Sequence, residues 1–364
     1  MRIGSCRKDQ SDMTEQRTFI RDITEWPLIS VIMPAYNSAK TIERAMRSVI
    51  GQSYPETELI VIDSGSADDT AEIVKRIAAQ EKGQIDIRLI EKENEGVSAA
   101  RNEGIRAVKG RYFVSLDADD YYERDTLAGL YKAAAEGKAD TAIGGMRKVY
   151  ESNDALNEDF APGSQYTGDL KSFMDDCFPK LYDLHLISTH SNKLYSTKIV
   201  RDNSLYYNEK LAVNEDIDFV LRYLSHCKSI AVLPDIFLNY VQHGVGESLI
   251  NTFQPHGLEG ALIVLRSCRE LMKLSGAGEK TVSEMNDRMF VHICSFAGLM
   301  YYRSGYDDAH IRKELVKMCA SSDFEQLLSQ MRPRGIKNTA AHFLLKHKLI
   351  GSYHILCKLI YSNT

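Results

Sequence analysis

The feature that most constrains this chain is the exchange, over residues 28–143, of short apolar runs with stretches of helical period. Leu28-Ile29-Ser30-Val31-Ile32-Met33, closed by Pro34, predicts a buried strand; Ile42, Ala45, Met46, Val49 and Ile50 follow at helical spacing. Leu59-Ile60-Val61-Ile62 predicts a second strand, ending at Asp63, with a helix from Asp68, as N-cap, to Ala79. The same reading gives strands over Ile85–Ile90, Tyr112–Leu116 and Ala139–Ile143, and helices over Val97–Val108 and Glu123–Ala135. Strands alternating with helices require crossover connections, hence an α/β fold with a mostly parallel sheet flanked by helices on both faces. Ligands of such sheets bind beyond the carboxyl ends of the strands.

Three polar clusters fall at those ends: Pro34-Ala35-Tyr36-Asn37, Asp63-Ser64-Gly65-Ser66 and Asp117-Ala118-Asp119-Asp120. Asp117 and Asp119, one residue apart at a strand end, have the spacing to face a hard cation such as Mg²⁺ or Mn²⁺ together with a diphosphate. The competing reading makes Asp119 and Asp120 caps of the helix that follows. An aromatic face at Tyr36 beside the Asp63 carboxylate and the Ser64 hydroxyl suits a stacked, edge-bonded nucleobase. Alone, Asp63 to Ser66 is equally a tight turn.

The order of these motifs carries a resemblance. The runs SVIMPAYNSAKTIERAMRSVIGQSYPETELIVIDSGSADDT and NEGVSAARNEGIRAVKGRYFVSLDADD resemble family 2 glycosyltransferases of the GT-A fold, in the inverting, non-processive bacterial form. The likeness is dense over residues 28–145 and continues through Asn192-Lys193-Leu194-Tyr195 and Glu215-Asp216 to about residue 250. It implies that Pro34, Ala35, Tyr36, Asn37 and Asp63 hold the nucleotide, with Arg101 near the base or phosphates. Ser64 stands where the family commonly has a second acid that reads the uracil edge, which leaves UDP and dTDP both open. Asp119 is then the direct metal ligand, Asp117 and Ala118 lie near the ribose, and His243 is a candidate third ligand. Asp216 matches the general base; read without the family, it is an N-cap. Glu215 and Lys193 are candidates for the acceptor or the phosphates, Lys193 otherwise being a snorkelling surface residue. The activity implied is transfer of a hexose or N-acetylhexosamine from a nucleoside-diphosphate sugar to a hydroxyl of a glycan or lipid-linked acceptor, in cell-surface polysaccharide synthesis.

After residue 150 the alternation fades. A polar loop is expected over 151–168, a helix over 170–183, a strand pair over 229–241, and helices from about 255 onward. The organisation expected is an extension over 1–26, a catalytic domain over 27–250 (a nucleotide half to 145, an acceptor half from 146) and a helical region over 251–364. Residues 331–364 hold six Lys and Arg and no acid among many apolar residues, so this region is a candidate for docking to an anionic membrane or a second copy of the chain. With 45 Lys and Arg against 50 Asp and Glu the chain lacks the charge of a nucleic-acid-coating protein. Seven scattered cysteines without a CxxC pair fit a reducing, cytoplasmic setting, as does an N-terminus without an apolar leader, which leaves the inner membrane face open as a peripheral site.

Two rivals remain. Phe113 to Asp119 also looks like the first motif of haloacid-dehalogenase-type phosphatases, with Asp117 as nucleophile. A nucleotide-sugar-binding scaffold without turnover is the non-enzymatic alternative. No P-loop occurs, and the lone Trp26 precludes the Gln-x-x-Arg-Trp motif of processive relatives.

Overall fold

The computed structural model describes residues 26–242, 256–303 and 306–361. The expected alternation is present: β1 (Ile29–Ala35), α1 (Ile42–Ile50), β2 (Thr57–Asp63), α2 (Thr70–Gln80), β3 (Asp86–Glu91), α3 (Val97–Ala107) and β4 (Tyr112–Ser115). β1 runs parallel to both β2 and β4, and β2 parallel to β3. Every residue of β1 is buried, as a continuous apolar run between helical layers demands. Trp26, assigned to the extension, belongs to the fold: its ring meets Tyr54 edge-on at 4.9 Å.

Beyond β4 the sheet becomes mixed. β5 (Tyr121–Tyr122), α4 (Thr126–Glu136), β6 (Thr141–Val149), β7 (Glu158–Phe160) and β8 (Tyr166–Asp169) precede α5 (Leu170–Asp176) and α6 (Phe178–Asp183). β9 (Lys193–Ser196), α7 (Thr197–Asp202), α8 (Glu215–Leu224) and β10 (Ser229–Val241) complete the catalytic part. The strand order is β3-β2-β1-β4-β9-β6-β10-β5, with β9 antiparallel to both β4 and β6.

Several expectations are corrected here. The loop over 151–168 contains two short strands, β7 on β6 and β8 on β10, whose polar residues hid them because they lie at the sheet's margin. The single helix over 170–183 breaks at Cys177, where Pro179 opens a second helix. The strand pair over 229–241 is one strand; Leu233-Pro234-Asp235, which looks like a hairpin turn, is instead an irregularity in the register with β6. Asp68 precedes the helix rather than capping it, and its carboxylate accepts from the Ala39 and Thr70 amides.

The C-terminal region is helical as expected: α9 (Gly257–Ser275), α10 (Glu279–Arg303), α11 (Asp308–Ala320), α12 (Ser322–Gln330), α13 (Ile336–Lys346) and α14 (Ile350–Tyr361). It is not separate from the catalytic part. α9 packs along α8, α10 reaches α5 and α6, and Met285, Met289, Phe290 and Ile293 are continuous with the core of the sheet domain. Among the described residues no helix is long and apolar enough to cross a membrane.

Candidate active site

The first two polar clusters meet as anticipated. At the end of β1, Asn37 takes φ of +50°, tolerable for Asn, and its amide donates to Ser66 Oγ at 2.9 Å. Asn37 Oδ1 accepts from the Ala67 amide at 2.8 Å, and Ser66 in turn donates to the Asp63 carboxylate. The Ser64 amide donates to the Ala35 carbonyl at 2.9 Å. These bonds lock the loop after β1 to the loop after β2. Asp63 and Ser64 are buried, whereas the Tyr36 ring is 53% exposed and available as a stacking face. Gly65, at φ +70°, makes the turn that a side chain would strain.

A cleft of about 1790 Å³ opens beside this edge, larger than the ~300–1,000 Å³ of a single small-ligand pocket. Asp117, Asp119, Asp120, Arg101, Glu215 and Asp216 line its inner end. Pro34, Ala35, Tyr36, Asn37, Asp63 and Ser64 are outside its lining, on the neighbouring strand ends.

Arg101 is the hub of that inner end. From α3 its guanidinium bonds Asp117 at 3.0 Å and Glu215 at 2.8 Å, and it lies 5.3 Å from the Tyr207 ring centre. Burial would weaken the arginine's hold on its proton, but the Asp117 and Glu215 charges more than restore it. Burial likewise pushes the Asp117 carboxyl up, yet Arg101 and then His190, whose Nε2 is 3.6 Å away, hold it far below the usual carboxylate range. Arg101 is therefore a buried, doubly ion-paired residue that also lines the cleft. Glu215 is buried in the same pair and lines the cleft beside it.

Asp119 and Asp120 follow directly after Ala118 and also line the cleft. Asp120, 2% exposed, accepts from the Val241 amide at 2.8 Å, and its pKa is pushed well up by burial and by the charges of Asp119 and Asp117. Neither residue caps a helix, since α4 begins at Thr126 behind Asp125. Asp120, expected as a cap, instead lines the cleft, and the run of three acids over Asp117–Asp120 is the sequence signal for it. Ala118 is buried between them. Among the described residues no group of three or more His, Cys, Asp or Glu is arranged to hold an ion unaided. His243 lies outside the described residues.

Asp216 is the second residue of α8, and Asn214, at φ +69°, holds the N-cap position without a side-chain cap bond. The cap reading of Asp216 thus fails. Its Oδ1 accepts from the adjacent Ile217 amide at 2.7 Å, while burial and then the neighbouring Glu215 charge push its pKa up to about 7. Asp218, two residues on, turns away to Arg222 and to Ser267 on α9. Lys193 departs furthest from expectation. It is fully buried, and its ammonium donates to the carbonyls of Leu186 (2.5 Å) and Thr189 and to Asn192 Oδ1 (2.7 Å). Burial brings its pKa down to about 7. It neither snorkels nor lines the cleft.

The far wall of the cleft comes from α10 and α11 and the segment before α13, including Asp287, Arg288, His292, Phe296, Tyr306 and Arg334. Sequence reading missed these residues entirely, because nothing local marks a helix as the wall of a distant strand-end site.

A mixed sheet whose parallel half carries interlocked loops at the ends of β1 and β2, with an acidic strand end after β4 and a second acidic cluster on α8, defines a GT-A type glycosyltransferase fold. Residues 30–203 match the model described as Glycosyl transferase family 2, and the chain carries a domain of that family. Its relatives include the glycosyltransferase GlyA of Streptococcus pneumoniae, 39% identical over 34% of this chain and 17% of that protein. Poly(ribitol-phosphate) beta-N-acetylglucosaminyltransferase TarS of Staphylococcus aureus is 27% identical over 62% of this chain and 37% of that protein. The chain thus spans well under half the length of these relatives. The crystal structure of TarS residues 1–349 with UDP superposes with a TM-score of 0.67, covering 93% of this chain and 92% of that one at 18% identity. The likeness in fold therefore includes the C-terminal helices.

Proposed function

We propose that this protein is an inverting glycosyltransferase that moves a hexose or N-acetylhexosamine from a nucleoside-diphosphate sugar to a hydroxyl of a glycan or lipid-linked acceptor, in the synthesis of a cell-surface polysaccharide. The observation that carries the reading is Asp216, a carboxylate of raised proton affinity at the start of α8, facing the same cleft as Asp117, Asp119 and Asp120. The TarS structure solved with UDP favours a uridine donor, and Ser64 leaves dTDP as the competitor.

In the step proposed, the acceptor oxygen attacks the anomeric carbon from the face opposite the diphosphate. Its proton passes to Asp216, the new C–O bond forms, and the old one breaks with its electron pair leaving on the β-phosphate. Asp216 gains basicity from burial and from Glu215, while Arg101 holds Glu215 and Asp117 in place on either side. Tyr36 and Asp63 grip the nucleoside. The donor set fits a hard cation: all oxygen, with the Asp119 and Asp117 charges adding to burial in raising the proton affinity of Asp120. Asp119 would hold Mg²⁺ or Mn²⁺, the diphosphate and water supplying its other ligands. When bound, the cation supplies charge neutralisation for the departing nucleoside diphosphate.

The phosphatase alternative loses support from the same ion pair, because Asp117 braced by Arg101 and His190 is a poor nucleophile. The scaffold alternative is decided by turnover. As to partners, Ile336, Phe343, Ile355 and Leu359 are exposed on α13 and α14, which favours peripheral docking to an anionic membrane face on the cytoplasmic side, with a homodimer as competitor. Three of the six basic residues there are already paired, Arg334 to Asp287, Lys348 to Glu325 and Lys358 to Asp308, so the electrostatic share of that docking rests on Arg332, Lys337 and Lys346. Sedimentation with phosphatidylglycerol vesicles tests it; no co-sedimentation would remove the membrane role.

Calorimetric titration of UDP, dTDP and GDP, with and without Mn²⁺, on the natural sequence and Asp119→Asn tests the donor site. One nucleotide should bind in a metal-dependent way that Asp119→Asn removes, and Asp216→Asn should abolish transfer while keeping that binding. No nucleotide binding by folded protein would refute the proposal.

A further inference from the structure

We infer that the part of the cleft walled by α10 and α11 is an acceptor subsite for an uncharged glycan, held by hydrogen bonds to Asn214, Asp287 and His292 and by packing on the rings of Phe296 and Tyr306. The inference rests on the glycosyltransferase reading above and names the acceptor class for it.

Charge is the first ground. The cationic side chains on this wall already face carboxylates, one of them Asp183 on α6, while Lys148 on β6, elsewhere in the cleft, lies over the Phe160 ring. Arg288 bonds Asp183 at 2.7 Å and 2.5 Å, Lys317 bonds Glu314 at 2.5 Å, and Arg334 lies 3.7 Å from Asp287. Recognition of phosphate or uronate calls for a guanidinium fork turned to the ligand. Here an anionic acceptor would have to break ion pairs and then meet their carboxylates, together with the acids at the inner end of the cleft.

Unsatisfied polar atoms are the second. Asn214 Nδ2, Asp287 Oδ1 and His292 Nε2 are buried from solvent with no hydrogen-bond partner, and all three residues line the cleft. Burial brings the His292 pKa down to about 4, so the imidazole is neutral at neutral pH. An amide donor, a carboxylate acceptor and a neutral imidazole share one complement: the sugar hydroxyl, which both donates and accepts. Orphaned buried groups of this kind are satisfied by water or ligand.

Ring faces are the third. Phe296 lies 5.2 Å from His292, so that polar contact has an aromatic neighbour that can cover the C–H face of a pyranose, and Tyr306, whose ring stands 3.8 Å from His310, lines the same cleft. Position agrees: Asn214, at the N-cap of α8, directly precedes Glu215 and Asp216, so this part of the cleft adjoins the proposed base.

The test measures binding of two probe sets to the full chain saturated with UDP and Mn²⁺: neutral N-acetylglucosamine, glucose and galactose oligosaccharides, and poly(ribitol phosphate) with hyaluronan oligosaccharides. A neutral oligosaccharide should bind, with an affinity unchanged between about 50 and about 500 mM salt. Phe296→Ala and His292→Ala should weaken it by about tenfold or more, leaving UDP affinity unchanged. His292→Gln, which keeps hydrogen-bonding capacity, should recover part of the loss if the alanine variant folds poorly. Preferential, salt-sensitive binding of the anionic set would overturn the inference, as would glycan binding indifferent to both Phe296→Ala and His292→Gln. Failure of the protein to bind any nucleotide would instead refute the transferase reading beneath it.

Discussion

Replacing Arg101 by methionine removes one cation from between two carboxylates and leaves both behind. The arginine side chain is 6% exposed, Glu215 11% and Asp117 28%, so water reaches Asp117 better than Glu215 and the larger penalty falls on Glu215. Deleting one member of a buried pair typically costs about 3–5 kcal/mol, chiefly as the uncompensated charge left in place. With two orphaned acids the variant belongs at the upper end of that range, a melting temperature lower by on the order of 10 °C. Asp117 has a folded pKa below its unfolded one, so the pair stabilises fully above the unfolded value of about 4 and the benefit fades as pH falls through the depressed folded value. Scanning calorimetry of both proteins should therefore show the full gap at about pH 8 and a shrinking one below about pH 4. Arg101→Lys, which cannot fork between two carboxylates, should fall between them. A methionine variant as stable as the natural protein at pH 8, or a gap that widens in acid, would refute the reasoning.

Other outcomes follow from single observations. With Asp216 as base and its pKa raised to about 7, transfer should rise with pH through that value, and a rate flat from about pH 5 to about 8 would remove the base role. Because the raised pKa means that ionising Asp216 opposes folding, Asp216→Asn should be more stable than the natural protein at about pH 8 and indistinguishable at about pH 4 in thermal melts. Lys193→Met should cost about 2–4 kcal/mol in chemical denaturation, by leaving the Leu186 and Thr189 carbonyls unpaired, yet leave nucleotide affinity intact; lost affinity would restore a phosphate contact. A Cβ at Gly104 would overlap the Ile32 side chain and press within 3.0 Å of Ile62, so Gly104→Ala should lift α3 off the sheet, costing about 1–3 kcal/mol and weakening nucleotide binding through Arg101. An unchanged melting temperature would show that the helix can shift freely.

Much of the nucleotide half was legible in the sequence because its determinants are local. Apolar runs bounded by Pro34, Asp63 and Asp117 specify strands and their ends, and the crossover rule then places those ends on one edge. The interlocked loops after β1 and β2 needed only short polar segments of a type that turns and caps favour. The mixed half was harder: β7 and β8 are short, polar and marginal, and the irregularity at Pro234 imitates a turn, so neither period nor composition separates them from loop.

What the sequence by itself determined is the order of strands and helices to residue 116, the edge on which the acids gather, and the helical character of the C-terminal third. Tertiary structure alone decided how those acids are used. Arg101 and Glu215 are 114 residues apart, and their pairing, which Asp117 shares, exists only once α3 and α8 are brought together. Lys193 looks like any lysine until β9 is inserted between β4 and β6 and buries it. The amphipathic faces of α9 to α11 announce burial but not against what, since an apolar stripe carries no address. Only the packed chain turns them into the second wall of the cleft.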